Sequence, residues 1–244
     1  MKLCVYIPAF QAESTLAAVV RRIYLVPLAD VELHVLVIDD GSQDGTSELT
    51  HQLHLNFPST ELHTFAQNRG YGAAAAFGLK WARSLAAEAA VCIHADGQYP
   101  PEAIPRLLEM LGHGVDLVQG SRHLDGTALA GGMPKYKWIA GLALSTLERK
   151  VLGVHLTDLH SGLLAFGARA LATLPETGMS SSFDFDLEAI ARCRAAGLAI
   201  GEIGIPTRYA DEVSHLRSFP YGVSCLRVLW RYRQGDFNPT GRSP

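Results

Sequence analysis

Short apolar runs alternate with helix-spaced segments through the first half of the chain. Residues 2–7, 33–38, 61–65, 91–93 and 116–119 are brief runs of this kind, several rich in β-branched residues, which predicts five strands. Between them, residues 14–26, 44–55, 72–87 and 102–111 carry apolar side chains at helical spacing. The first of these helices stops before Pro27, and Asp44 or Thr46 is placed to cap the second. Repeating βα units predict an α/β fold, a mostly parallel central sheet flanked by helices on both faces. Ligands of such sheets lie beyond the strand C-termini. Pro8, Asp39, Asp40 and His94 fall there.

After Gly120 the pattern loosens. Residues 124–133 are rich in glycine and alanine, which predicts a mobile loop. Residues 135–152 read as a helix mixing Lys135, Lys137, Trp138 and Arg149 with apolar positions. A turn at 158–162, an amphipathic helix at 185–196 and a last strand at 199–205 follow. A terminal helix at 218–233 sets Trp230 and Tyr232 among arginines. No internal repeat or low-complexity linker divides the chain. The expected organisation is one domain over 1–217, with an amphipathic helix and tail at 218–244 packed on it.

Composition changes this picture little. The apolar fraction of 48% is enough for a sizeable core, and a net charge of −3 makes no electrostatic case for nucleic acid. Met1-Lys2 leads straight into a strand-like run, with no signal-peptide pattern. The best apolar stretch, 139–147, is about half of what a membrane span needs. Four scattered cysteines show no zinc spacing and read as reduced core thiols, so a cytoplasmic location is expected. Positive charge gathers at Arg227, Arg231 and Arg233. With the neighbouring aromatics, it suits either peripheral contact at the cytoplasmic membrane face or packing on the domain itself.

The chemistry concentrates at predicted strand ends. Val91 to Ile93 delivers His94, Asp96 and Gln98, followed by Pro100-Pro101. If the extended path continues past the strand, alternation puts all three on one face, where they can converge on a cation. A hard divalent ion with few protein ligands keeps positions open for phosphates. Asp39-Asp40-Gly41-Ser42 leaves a buried strand, and a carboxylate there can accept from a base or a ribose. In Asn68-Arg69-Gly70-Tyr71-Gly72, small residues admit a ligand to the backbone and the helix start attracts anions. Arg122 can clamp a diphosphate bidentately. Asp158, His160 and Ser161 share one turn. Asp184, Asp186 and Glu188 open a helix, where acidic residues are stabilising in any protein. Arg208, Ser214, His215 and Arg217 suit an anionic acceptor or a solvated loop.

Together these residues resemble the family 2 glycosyltransferases of the GT-A (nucleotide-diphospho-sugar transferase) fold. The nearer resemblance is to the branch of dolichol- and polyprenol-phosphate sugar synthases. It runs from Ile7-Pro8-Ala9-Phe10 and Glu13 through Val37-Ile38-Asp39-Asp40-Gly41-Ser42 and His94-Ala95-Asp96-Gly97-Gln98. It continues through Gly120-Ser121-Arg122, Asp158-Leu159-His160-Ser161-Gly162 and Phe185-Asp186-Leu187-Glu188 to Ile205-Pro206-Thr207-Arg208-Tyr209.

The resemblance implies an inverting, metal-dependent hexosyl- or N-acetylhexosaminyl-transferase with a UDP- or GDP-linked donor and a polyprenyl phosphate acceptor. Pro8, Ala9, Glu13 and Asp40 would hold the nucleoside beside the Arg69-Gly70 loop. Asp96 and Gln98, with His94, would hold Mg²⁺ or Mn²⁺, Arg122 a donor or acceptor phosphate, and Arg208 the acceptor phosphate. Asp158 or Asp186 would act as base were the acceptor an alcohol. The chain departs from the family in three places. His94 stands where relatives usually have aspartate, Leu163-Leu164 stand where an aromatic and an arginine are common, and C-terminal transmembrane helices are missing. Two alternatives stay open: a transferase with a soluble acceptor, and a nucleotide-sugar-binding protein that has lost catalysis. A nucleotidyltransferase is disfavoured, because its glycine- and lysine-rich opening loop is absent.

Overall fold

The computed structural model describes residues 1–124, 135–206 and 218–238. The glycine-rich segment beyond Leu124 and the candidates Arg208, Ser214, His215 and Arg217 lie outside the described residues. Strands β1 (Lys2–Ala9), β2 (Glu32–Asp39), β3 (Thr60–Thr64), β4 (Ala89–Cys92), β5 (Leu117–Ser121), β6 (Leu164–Gly167) and β7 (Ile200–Gly204) form one sheet in the order β3-β2-β1-β4-β6-β5-β7. The described helices are α1 (Leu16–Leu25), α2 (Thr46–Asn56), α3 (Tyr71–Ser84), α4 (Ile104–Gly112), α5 (Lys135–Leu152), α6 (Ala168–Thr173), α7 (Phe185–Ala195) and α8 (Ser218–Gln234).

The strands are unbroken apolar runs because both faces of the sheet are covered. Alternation along β1 sends Leu3, Val5 and Ile7 to one core, shared with Leu16, Val20 and Ile23 of α1 and Leu107 of α4. Cys4 and Tyr6 go to the other core, with Leu79 of α3 and Phe185 and Ile190 of α7. The mostly parallel sheet between two helical layers is as expected.

Three local readings differ from the structure. β6 and α6 were not anticipated, since four apolar residues followed by a six-residue helix give too short a pattern to show a period. β6 is antiparallel to both β4 and β5, with Val91 and Val118 each opposite Ala165. Leu163 and Leu164, at its start, are fully buried core residues. At α2 the N-cap position is Gly45, one residue from each expected cap. Asp44 Oδ1 still accepts the Thr46 N–H at 3.1 Å, and Glu13 Oε2 accepts that of Gly45 at 3.1 Å.

α8 packs on α5 and α7 and places Cys225, Val228 and Leu229 in the core. Glu188 of α7, fully buried, holds Arg192 at 2.6 Å and Arg231 of α8 at 3.5 Å. Among the described residues, no helix is long and apolar enough to cross a membrane.

Candidate active site

β1, β2, β4 and β5 all end at the same edge of the sheet, and β6, running the other way, begins there. The loops after Ala9, Asp39, Cys92 and Ser121 therefore lie along one edge, where the 158–162 turn leads into β6.

At the β2 end, the two adjacent buried aspartates are each satisfied locally. Asp39 accepts the Ser42 N–H at 2.9 Å and the Ser47 hydroxyl. Asp40 accepts the N–H groups of Arg69 at 2.7 Å and Gly70 at 2.8 Å, so it fixes the loop that opens α3. Gly41 has φ +73, and a Cβ there would overlap the Gln67 and Asn68 backbone. This close crossing brings the Asp40 and Arg69-Gly70 segments together. The Arg69 guanidinium stacks over Phe65 at 4.7 Å. Pro8 and Ala9 pair in register with Ile38 and Asp39 beside this loop. The Glu13 carboxylate is turned to the start of α2 instead.

At the β4 end the extended path does not continue. The strand stops at Cys92, and the chain turns over His94–Gly97, with Gly97 at φ +75 and its N–H 3.4 Å from the His94 carbonyl. Strict alternation of His94, Asp96 and Gln98 is thus replaced by a turn. Asp96 Oδ1 accepts the Gln98 N–H at 3.0 Å, and Oδ2 has no hydrogen-bond partner among the described residues. That half-buried oxygen is a hard donor suited to Mg²⁺ or Mn²⁺, which take few protein ligands and keep positions for phosphates. The His94 ring lies between Tyr71 and Tyr99, with Nε2 3.3 Å from the Tyr71 hydroxyl. Burial lowers its pKa; the Asp96 charge opposes that shift and Arg122 adds to it.

Tyr71 links this turn to α7. Its hydroxyl reaches both Asp186 oxygens at 2.9 Å, and its ring stacks on Phe183. Burial pushes the Asp186 carboxyl up to about 7; the Tyr71 bonds work against that rise and the Asp184 charge with it. Asp186, Tyr71 and His94 form a connected polar chain into the site. Sequence reading missed Tyr71 as a functional residue, although it stands inside the Asn68–Gly72 motif.

At the β5 end, Arg122 grips Asp158, with Nε to Oδ2 at 2.7 Å and Nη2 to Oδ1 at 3.0 Å. Its Nη2 also donates to the His160 carbonyl at 3.1 Å. Burial alone would raise the Asp158 carboxyl, but the Arg122 charge and hydrogen bonds hold it below its ordinary value. Asp158 therefore stays ionised as the partner of Arg122. Tyr99 accepts the Gly162 N–H at 2.9 Å and joins this turn to the β4 loop.

Behind the turn, the His160 ring stands 3.2 Å from the buried Glu148 carboxylate of α5. Sequence reading missed Glu148 as well. It is a lone acidic residue on a helix face whose other members, Ser145 and Leu152, are buried.

The comparisons bear on the family and the fold. The model of glycosyl transferase family 2 matches residues 4–173, well over half of the chain. An undecaprenyl-phosphate mannosyltransferase of Micrococcus luteus is 30% identical over 207 residues, covering 84% of this chain and 83% of that protein. A polyprenol monophosphomannose synthase of Mycolicibacterium smegmatis is 29% identical over 204 residues, covering 82% and 75%. Among solved structures, a glucosyl-3-phosphoglycerate synthase of Mycobacterium tuberculosis, in complex with Mn²⁺, UDP-glucose and phosphoglyceric acid, superposes with a TM-score of 0.69. It is 19% identical and covers 95% of this chain and 79% of its own, a likeness of fold. The chain belongs to glycosyl transferase family 2, in the branch that resembles the dolichol- and polyprenol-phosphate sugar synthases.

Proposed function

We propose that the protein transfers a sugar from a UDP- or GDP-linked donor to a polyprenyl phosphate, with inversion at the anomeric carbon. The observation that carries this reading is the shared edge where Asp40, Asp96 and the Arg122–Asp158 pair meet. Pro8, Ala9 and the Asp40-anchored Arg69-Gly70 loop shape the nucleoside end. Glu13 supports that end indirectly, through the start of α2. Asp96 and Gln98 hold Mg²⁺ or Mn²⁺ at the diphosphate, with His94 packed behind them. When bound, that ion neutralises charge on the departing diphosphate. Arg122, its plane set by Asp158, binds a phosphate of donor or acceptor. Arg208 is assigned to the acceptor phosphate by resemblance alone. A phosphate acceptor is already ionised near neutral pH and attacks without a strong base.

The surface of α8 supports a lipid-borne acceptor. Val223, Leu226 and Trp230 are exposed at a helical spacing that puts them on one side, and the exposed Arg227 and Arg233 flank them. Such a face suits contact with an anionic membrane surface, a location the relatives' substrates favour.

Asp186 motivates a second reading. A buried carboxyl raised to about 7 has the strength to take a proton from a hydroxyl acceptor.

One experiment tests the donor side and a second the acceptor. In a thermal-shift panel of UDP, GDP, CDP and dTDP with and without Mn²⁺, one diphosphate at a hundred times its Kd should add about 2.7 kcal/mol. The effect should need the metal and vanish in Asp96→Ala. Transfer from the matching sugar nucleotide is then measured with undecaprenyl phosphate in vesicles against lipid-free alcohols. No nucleotide stabilisation would remove the donor-site assignment. Transfer to alcohols alone would select the second reading.

A further inference from the structure

Apart from the sugar-transfer site, one buried cluster of ligand-capable side chains stands out among the described residues. Glu148 of α5 and Cys225 of α8 are fully buried, and the His160 side chain is 12% exposed. A carboxylate oxygen, a ring nitrogen and a thiol sulfur, one from each residue, all lie within 4.8 Å of one another. Both Glu148 oxygens and His160 Nε2 lack a hydrogen bond among the described residues. Nε2 is 3.2 Å from Oε2, yet without hydrogen-bond geometry. Burial, and after it the Asp158 charge, push the Glu148 carboxyl up to about 8, and a carboxyl this deep is ionised only where a positive partner meets it. The other ring nitrogen, Nδ1, is engaged by the Tyr221 hydroxyl at 2.8 Å. That contact aims Nε2 at Glu148, as second-shell partners do for metal-bound histidines.

We propose that Glu148, His160 and Cys225 form a zinc site that fastens α8 to α5 and to the 158–162 turn. The donor set selects the ion. One thiolate, one imidazole and one carboxylate suit Zn²⁺, whereas the oxygen donors at Asp96 and Gln98 suit a harder ion. Ligands around a tetrahedral zinc at about 2.0–2.3 Å stand roughly 3–4 Å apart, so a small closure of the cluster completes the shell. Charge balances too: a thiolate and a carboxylate neutralise the dication, and the Cys225 thiol proton and the Glu148 carboxyl proton both leave to solvent as the S–Zn and O–Zn bonds form. A water fills the fourth position. Glu148 and His160 lie twelve residues apart and Cys225 comes from α8, so the ion would tie α8 to the segment that runs from α5 into the turn. Its effect reaches the transfer site through the His160 carbonyl, which accepts from Arg122.

The test uses the full-length protein, stripped with a chelator and titrated with Co²⁺. A single equivalent should bind with a thiolate-to-cobalt charge-transfer band in the near ultraviolet, and Zn²⁺ should displace it. The band should persist in Asp96→Ala and disappear in Cys225→Ser. Tyr221→Phe keeps all three ligands and should weaken the metal about tenfold. Zinc should raise the melting temperature of the wild type and not of Cys225→Ser. Folded wild-type protein without the band at stoichiometric Co²⁺ would overturn the proposal. So would a band that survives in Cys225→Ser, because another thiol would then be the ligand.

Discussion

Replacing Asp158 by asparagine keeps its shape and removes its charge. The carboxylate is 1% exposed on its side chain, and Arg122 opposite is 15% exposed, so little solvent screens what is left. It accepts from Arg122 Nε at 2.7 Å, Nη2 at 3.0 Å and N at 3.2 Å, and from His160 N at 3.2 Å. Asparagine cannot accept all of these, and its NH₂ faces a donor. Breaking one side of a buried pair costs about 3–5 kcal/mol, and at about 2–4 °C per kcal/mol for a chain this long the melting temperature should fall by roughly 10 °C. The sign with pH follows from the lowered carboxyl. Its contribution is full above the unfolded value near pH ~4 and is lost as pH falls through the folded one. The deficit of Asp158→Asn should therefore narrow in acid. Thermal melts of Asp158→Asn and of the charge-free Arg122→Met/Asp158→Leu protein, at pH 7.5 and in acid, measure both effects. The double variant should melt well above the single one, since it leaves no unpaired buried charge. A single variant within about 2 °C of wild type, or a double variant no better than the single, would refute the reasoning.

Two further substitutions probe the neighbouring turns. In Gly162→Ala the new Cβ would overlap His94 Nε2 and Cε1. A loss of about 1–3 kcal/mol in urea unfolding is expected, with weaker metal-dependent nucleotide binding; unchanged values for both would mean that His94 does not set the Asp96 turn. In Asp186→Asn the sign is opposite to that of Asp158. The folded carboxyl is raised to about 7, so its stabilising contribution is present below the unfolded value and is lost as pH rises through 7. The asparagine variant should match wild type near pH ~4, the unfolded value, and exceed it at pH 8, by at most about 4 kcal/mol. A difference that does not change with pH would contradict the raised carboxyl.

Much of the fold was legible because burial on both faces writes each parallel strand as an apolar run and each crossover as a helix. β6 was not legible. Four apolar residues carry no period, and pairing with strands far away in the sequence leaves no local trace. Within the site, the strand-end positions of Asp40, Asp96 and Arg122 and the turn position of Asp158 were readable, but what each touches was not. Asp40 anchors a loop some thirty residues on. The extended reading of residues 94–98 failed at a turn that Gly97, with its positive φ, makes possible. Tyr71 gave no signal because a tyrosine beside glycines has many roles. Glu148 did give one: a single acid on a buried helical stripe demands an explanation, and its partners come from the turn and α8.

The antiparallel strand also bears on the order of folding. β1 to β4 come from one continuous stretch and can pair as soon as it is made. β5 follows in the chain but cannot take its place, because β6 must enter between it and β4. Until then the nascent chain carries two unjoined sheet edges, which are open templates for wrong pairing. The part of the sheet that carries Asp40 and its anchored loop can thus form while the 158–162 turn is still unplaced, and insertion of one four-residue strand brings Asp158 to Arg122. Pairing of β6 with β4 and β5 thus joins the two parts of the sheet and sets the Arg122–Asp158 pair at their junction, whether β7 has yet added to the outer edge of β5 or not.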